Sequence, residues 1–166
     1  MKKTMLLTLI LSILAISIPY NVRAAEDIPA AAGEEYIEYF DGGYIINSLV
    51  DVYDSAVDGS LSTYATQITT KSATSSVYDS NNKLVAEFVL TATFTYNGSS
   101  ATCIDALYTT QIYDKNWKFT DASVDRASNY ATGNYTIKKT LLFITQATAN
   151  GKLTMTCDKN GNVTVK

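Results

Sequence analysis

The chain has 166 residues, with 13 Lys or Arg, 16 Asp or Glu and no His, for a formal net charge of −3. That acidic balance, with no basic cluster larger than Lys138–Lys139, disfavours phosphate backbones, so nucleic acid is not expected as a partner. Without histidine the chain lacks the commonest general base, the commonest metal ligand and every Ser-His or Cys-His nucleophile arrangement.

Residues 1–24 read as an export signal. Lys2 and Lys3 precede an apolar run from Met5 to Ile18, and a polar patch at Tyr20, Asn21 and Arg23 ends in Ala24–Ala25, which places cleavage after Ala24. The run falls short of the ~20 apolar residues that a membrane span requires, so it predicts a removed signal and not an anchor. The expected location is secreted or extracellular, with no stable membrane insertion after cleavage. Lys2, Lys3 and Arg23 leave with the signal and no acid does, which takes the net charge from −3 to −6.

Residues 25–43 predict a flexible or loosely docked N-terminal segment. Within it, Glu34–Phe40 reads as a short N-terminal helix or as a strand, because Tyr36, Ile37, Tyr39 and Phe40 suit either period. Residues 44–166 predict one β-sandwich domain.

From Tyr44 onward the hydrophobic period is two. In Leu84–Tyr96 an apolar set (Leu84, Ala86, Phe88, Leu90, Ala92, Phe94, Tyr96) alternates with Glu87, Thr91, Thr93 and Thr95, the pattern of a strand with one face on a core. Asp79-Ser80-Asn81-Asn82 and Asn97-Gly98 bound it as turns. Similar readings give strands at Tyr44–Tyr53, Leu61–Tyr78, Thr102–Asp114, Trp117–Val124, Ser128–Phe143, Leu153–Cys157 and Asn162–Lys166, with a turn at Asn150-Gly151. The expected fold is all-β, an antiparallel sandwich of about 7–8 strands.

Two cysteines in an exported chain predict one disulfide, Cys103–Cys157. Closing a loop of that length is worth roughly 4 kcal/mol on chain entropy alone. The alternation of Thr102–Asp114 puts Ile104, Ala106, Tyr108 and Ile112 on one face and Cys103 on the other. A bridge therefore requires a bulge or register change near Asp105, or Cys103 must sit outside the regular strand. The order Cys103, Trp117, Cys157 resembles immunoglobulin-like sandwiches, and that resemblance implies an immunoglobulin-like or related topology with the indole packed on the bridge. The chain departs from it at Met155, where the pattern carries tyrosine.

Catalytic equipment is sparse. Glu26, Glu34, Glu35 and Glu38 cluster in the N-terminal segment, most aspartates sit at turns, and a glycosidase-like pair would need Glu87 to meet Asp105 or Asp121. Asp158-Lys159-Asn160-Gly161-Asn162 has its glycine fourth, so it reads as a hairpin turn and not as a calcium loop. No catalytic residue, cofactor or metal ligand is expected. Tyrosine is abundant, with 12 in the chain, and Tyr108, Tyr113, Trp117 and Tyr130 are the expected binding surface, since they accompany Thr and Asn.

The export signal, the stretch FTYNGSSATC, the later W-x-F and the ending TCDKNGN resemble small secreted all-β proteins of Gram-positive bacteria with no assigned function. The expected function is that of a non-enzymatic extracellular binding module for a protein or glycan partner. Two rivals remain: a carboxylate-dependent hydrolase of cell-wall or other glycans, and a structural subunit of a surface assembly.

Overall fold

A computed structural model describes residues 35–50 and 66–166; the export signal, the cleavage site and the expected strand ends at 51–53 and 61–65 lie outside them. The described strands are β1 (Glu35–Phe40), β2 (Gly43–Val50), β3 (Gln67–Asp79), β4 (Leu84–Tyr96), β5 (Ala101–Ile112), β6 (Trp117–Ala127), β7 (Tyr130–Leu141), β8 (Ile144–Cys157) and β9 (Val163–Val165). They form two antiparallel sheets, β1-β2-β3-β4-β5 and β6-β7-β8-β9. The all-β sandwich expected from the sequence is therefore the fold. Each bonded neighbour is the next strand in the chain, so the described path changes sheet at the β5–β6 turn, whereas an immunoglobulin sandwich interleaves its strands between sheets.

The alternation of β4 decides how the sheets meet. Phe88, Leu90 and Phe94 are fully buried and face Ile137 of β7 and Leu153 and Met155 of β8, which are buried as completely. Two glycines make room for rings. A Cβ on Gly133 would lie 2.5 Å from Phe88 Cε1, and one on Gly151 would lie 2.1 Å from Tyr135 Cζ. Phe88 stacks on Tyr135 at 4.8 Å and on Tyr108 at 5.4 Å, and Tyr135 meets Phe119 edge-on at 5.8 Å, so one aromatic column crosses from sheet to sheet.

A small polar cluster interrupts the apolar layer. Ser75 donates to Asn47 Oδ1, and Asn47 Nδ2 donates to Glu38 at 3.2 Å, which pairs three strands through their inward side chains. The hydroxyl of Tyr135 lies buried with no hydrogen-bond partner in bonding geometry among the described residues, and burial pushes its pKa well upward.

One open reading is decided and three local expectations change. Of the helix and strand readings of Glu34–Phe40 the strand holds, as β1 (Glu35–Phe40), which pairs into the sheet instead of forming a loosely docked segment. Tyr36 and Phe40 pack on the core while Glu35, Ile37 and Tyr39 point outward, and Gly42 at φ +113° closes a tight turn to β2. Asn150-Gly151 is no turn, because β8 runs straight through it and Gly151 receives the Tyr135 ring. The turn falls earlier, at Leu142-Phe143, so Phe143 leaves the predicted core face and stands fully in water.

Cys103 and Cys157 are both buried and both free, so the expected bridge is not formed in this structure. The bulge that a bridge requires is nonetheless present: Thr93 pairs with Asp105 and Phe94 with Cys103, leaving Ile104 as the extra residue. That extra residue turns Cys103 inward. Each thiol instead donates to a nearby backbone carbonyl, Cys103 to Asp105 and Cys157 to Asp158, both at 3.4 Å.

Candidate binding surface

The four residues expected to form a binding surface do not come together. Tyr108 is 38% exposed on β5, stacks on Phe88 and donates its hydroxyl to the Ala122 carbonyl at 3.1 Å. Trp117 is buried, edge-on to Phe40 at 6.2 Å, so it is a core residue. Its position opens β6 after a turn, where the indole is folded under the β1–β2 end. Tyr130 pairs with Ala127 and Trp117 with Lys139, which puts the two aromatics roughly 30 Å apart along β7. Tyr113 alone joins a wider tyrosine arrangement.

The expected carboxylate pairs do not converge either. Glu87 and Asp105 share the outer face of the five-stranded sheet, but Asp105 pairs with Thr93, six residues along β4, a separation of roughly 20 Å. Asp121 lies on β6 in the other sheet. Hydrolysis by paired acids needs carboxyl groups within about 10 Å of one another. Glu87 is occupied otherwise: Tyr113 donates to its Oε2 and Ser76 to its Oε1 at 3.4 Å. The bond to Glu87 raises the Tyr113 pKa above its ordinary value.

What the register does assemble is the outer face of the five-stranded sheet. Tyr39 pairs with Tyr44 across β1–β2 and Tyr44 with Tyr78 across β2–β3, while Tyr113 follows β5 and binds the Val85 carbonyl at 2.9 Å. The rings of Tyr44 and Tyr78 stack at 5.0 Å and those of Tyr39 and Tyr44 tilt at 6.2 Å. Five strands at ~4.8 Å spacing make this row about 19 Å wide. Tyr39 is 82% and Tyr113 50% exposed at its two ends. Further along the same face, six to eight residues from Tyr78 on β3 and so roughly 20–26 Å from the row, runs a ladder of paired hydroxyls, Thr70 with Thr93 at 3.0 Å and Ser72 with Thr91 at 2.7 Å.

No protein-family model, curated protein or solved structure matches this chain. The surface must therefore be read from its own chemistry. Phenol rings offer apolar edges with a hydroxyl at the rim, and the ladder offers rotating O–H groups that both donate and accept. Such a face can hold a flat, hydroxyl-rich ligand by edge packing and exchanged hydrogen bonds. The sequence reading missed Tyr39, Tyr44 and Tyr78 because they meet only once the register of β1, β2 and β3 is known. The signal that was available is their parity: Tyr44 and Tyr78 both occupy the non-core set of their strands.

Proposed function

We propose that the exported chain is a non-enzymatic extracellular module that binds a glycan on the outer face of its five-stranded sheet. The tyrosine row carries this reading, and the hydroxyl ladder roughly 20 Å further along the same face suits it to an extended glycan of several sugars. The export signal at residues 1–24 and the scattered carboxylates support it. A glycan array and wall-material pull-down should retain the exported protein, and Tyr44→Ala with Tyr78→Ala should weaken that retention about tenfold or more, as expected for central aromatic contacts. Failure of the unaltered protein to bind any glycan above background would refute the reading.

In that oxidising setting Cys103 and Cys157 join. Cys103 N–H binds the Ser128 carbonyl at 2.7 Å and Cys157 N–H binds the adjacent Asn129 carbonyl at 2.9 Å, so one turn gathers both cysteines at the same end of the sandwich. Oxidation forms one S–S bond and passes two protons and two electrons to a thiol–disulfide oxidase. Non-reduced protein should then be two hydrogens lighter in intact mass than the reduced form. Reduced protein carries the alkaline counterpart. Burial, then Asp158, then Cys103 push the Cys157 thiol up to about 11 from its ordinary 9.0, while the unfolded thiol ionises at its ordinary value. Stability of the reduced form is thus full below pH 9.0 and falls as pH rises toward about 11, a decline that oxidation removes.

A further inference from the structure

We propose that the β7–β8 hairpin is a membrane-docking tip, which dips its apolar end into an anionic phospholipid surface while the rest of the domain stays in water. Leu141, Leu142, Phe143 and Ile144 are 53%, 82%, 101% and 63% exposed, an unbroken apolar run left uncovered among the described residues. Neighbouring strands stop short of it. β6 ends its pairing with Trp117 opposite Lys139, and β9 pairs only near the far end of β8, so the tip overhangs its sheet.

Local stability does not explain these residues. Leu142 and Phe143 form the turn at φ 49° and 68°, the left-handed region where Asn-Gly fits and bulky side chains are strained. Retaining apolar groups at two strained, solvated positions costs the folded state twice, which points to a use outside it.

The collar behind the tip names the partner's charge. Lys138 pairs with Lys118 across β6–β7, Lys139 follows, and Lys115 sits in the preceding turn, whose Asn116 carbonyl takes the Thr140 N–H at 2.8 Å. Lys115, Lys118 and Lys138 stand in no ion pair among the described residues, and the Lys139 ammonium lies 5.9 Å from the Trp117 ring. The acids of this end offset part of it. Asp114 is neutralised by Lys83 at 2.9 Å, and Asp41 in the β1–β2 turn and Asp79 at the end of β3 stand against Lys115, Lys118, Lys138 and Lys139, which leaves the collar net positive. Lys138 and Lys139 trail Leu141 by roughly 7–10 Å along the strand. An apolar tip seated roughly 5–10 Å into the headgroup–acyl boundary brings those ammonium groups level with lipid phosphates. The overall acidity of the chain hides this local inversion of charge.

Sedimentation with phosphatidylcholine–phosphatidylglycerol vesicles tests the proposal on the exported protein. Binding should be at least about tenfold weaker to phosphatidylcholine alone and should fall with added salt. The double change Leu142→Asn with Phe143→Gly suits the turn better than the native pair, so it should keep or raise the melting temperature while reducing vesicle binding about tenfold or more. Lys118→Glu with Lys138→Glu should abolish the preference for anionic lipid. Glycan retention by the tyrosine row should be unaffected by the tip variant, which separates this inference from the glycan reading. Unaltered protein that stays in the supernatant, or a tip variant that binds vesicles as well as the parent, overturns it; a tip made for a protein pocket would give the first of these results.

Discussion

Replacing Phe88 with alanine should lower the unfolding free energy by about 3–5 kcal/mol, the range for an aromatic ring removed from a packed core. Phe88 is fully buried and lies between Tyr108 and Tyr135, over the slot that Gly133 leaves open. Its loss empties the centre of the aromatic column, and the sheets cannot collapse into the gap because β4 is held by β3 and β5 along nearly its whole length. Val89, next along β4 on the outer face, is the internal control, and its alanine variant should cost about 1 kcal/mol or less. Urea denaturation of both variants measures the difference. A loss below about 1 kcal/mol for Phe88→Ala would mean that the ring does not join the two sheets.

Gly43→Ala should be nearly as damaging, by about 3 kcal/mol, and for a different reason. A Cβ at Gly43 would stand 1.9 Å from the Tyr78 carbonyl oxygen and 3.0 Å from Asp79 Cα. Both obstacles are backbone, so no side-chain rotation relieves them. The β2–β3 ladder must open at Gly43↔Asp79 and Tyr44↔Tyr78, which pulls apart the stacked pair at the middle of the tyrosine row. Glycan retention should therefore fall with stability. Gly98→Ala gives the contrast: nothing lies within 4 Å of its Cβ, and only the φ of +79° is unfavourable. That variant should lose about 1–2 kcal/mol and bind normally. A loss at Gly43 no larger than that at Gly98 would show that the β2–β3 backbone yields to the added Cβ and that the close contact does not decide the effect.

Elements with an unbroken period of two and turn residues at both ends were legible from sequence. β4 spans Leu84–Tyr96 as its alternation predicts, and Asp79 and Asn97 serve their turns by accepting backbone N–H groups, as the Asn/Asp chemistry requires. Parity left two ways for Cys103 to face inward, a bulge near Asp105 or a place outside the regular strand, and the structure takes the first. Long-range packing defeated the other readings. Asn150-Gly151 has the composition of a turn, but its glycine is there to admit the Tyr135 ring from the neighbouring strand. Leu142-Phe143 has the composition of a strand and forms the turn, against local preference. The tyrosine row escaped because cross-strand neighbours follow from register, which the single chain does not display. Trp117 was placed on a surface by residue type, although Phe40, 77 residues earlier in the chain, covers it.

The most direct test of the binding face is an isotope-edited NMR titration of the exported protein with a glycan retained on the array. Amide and ring shifts should move and saturate together at Tyr39, Tyr44, Tyr78 and Tyr113, and should extend to the Ser72–Thr91 and Thr70–Thr93 pairs only with a glycan long enough to span the roughly 20 Å between them. Shifts confined to the outer face of the four-stranded sheet, around Thr132 and Thr154, or the absence of any saturable shift, would contradict the assignment of this face as the binding site.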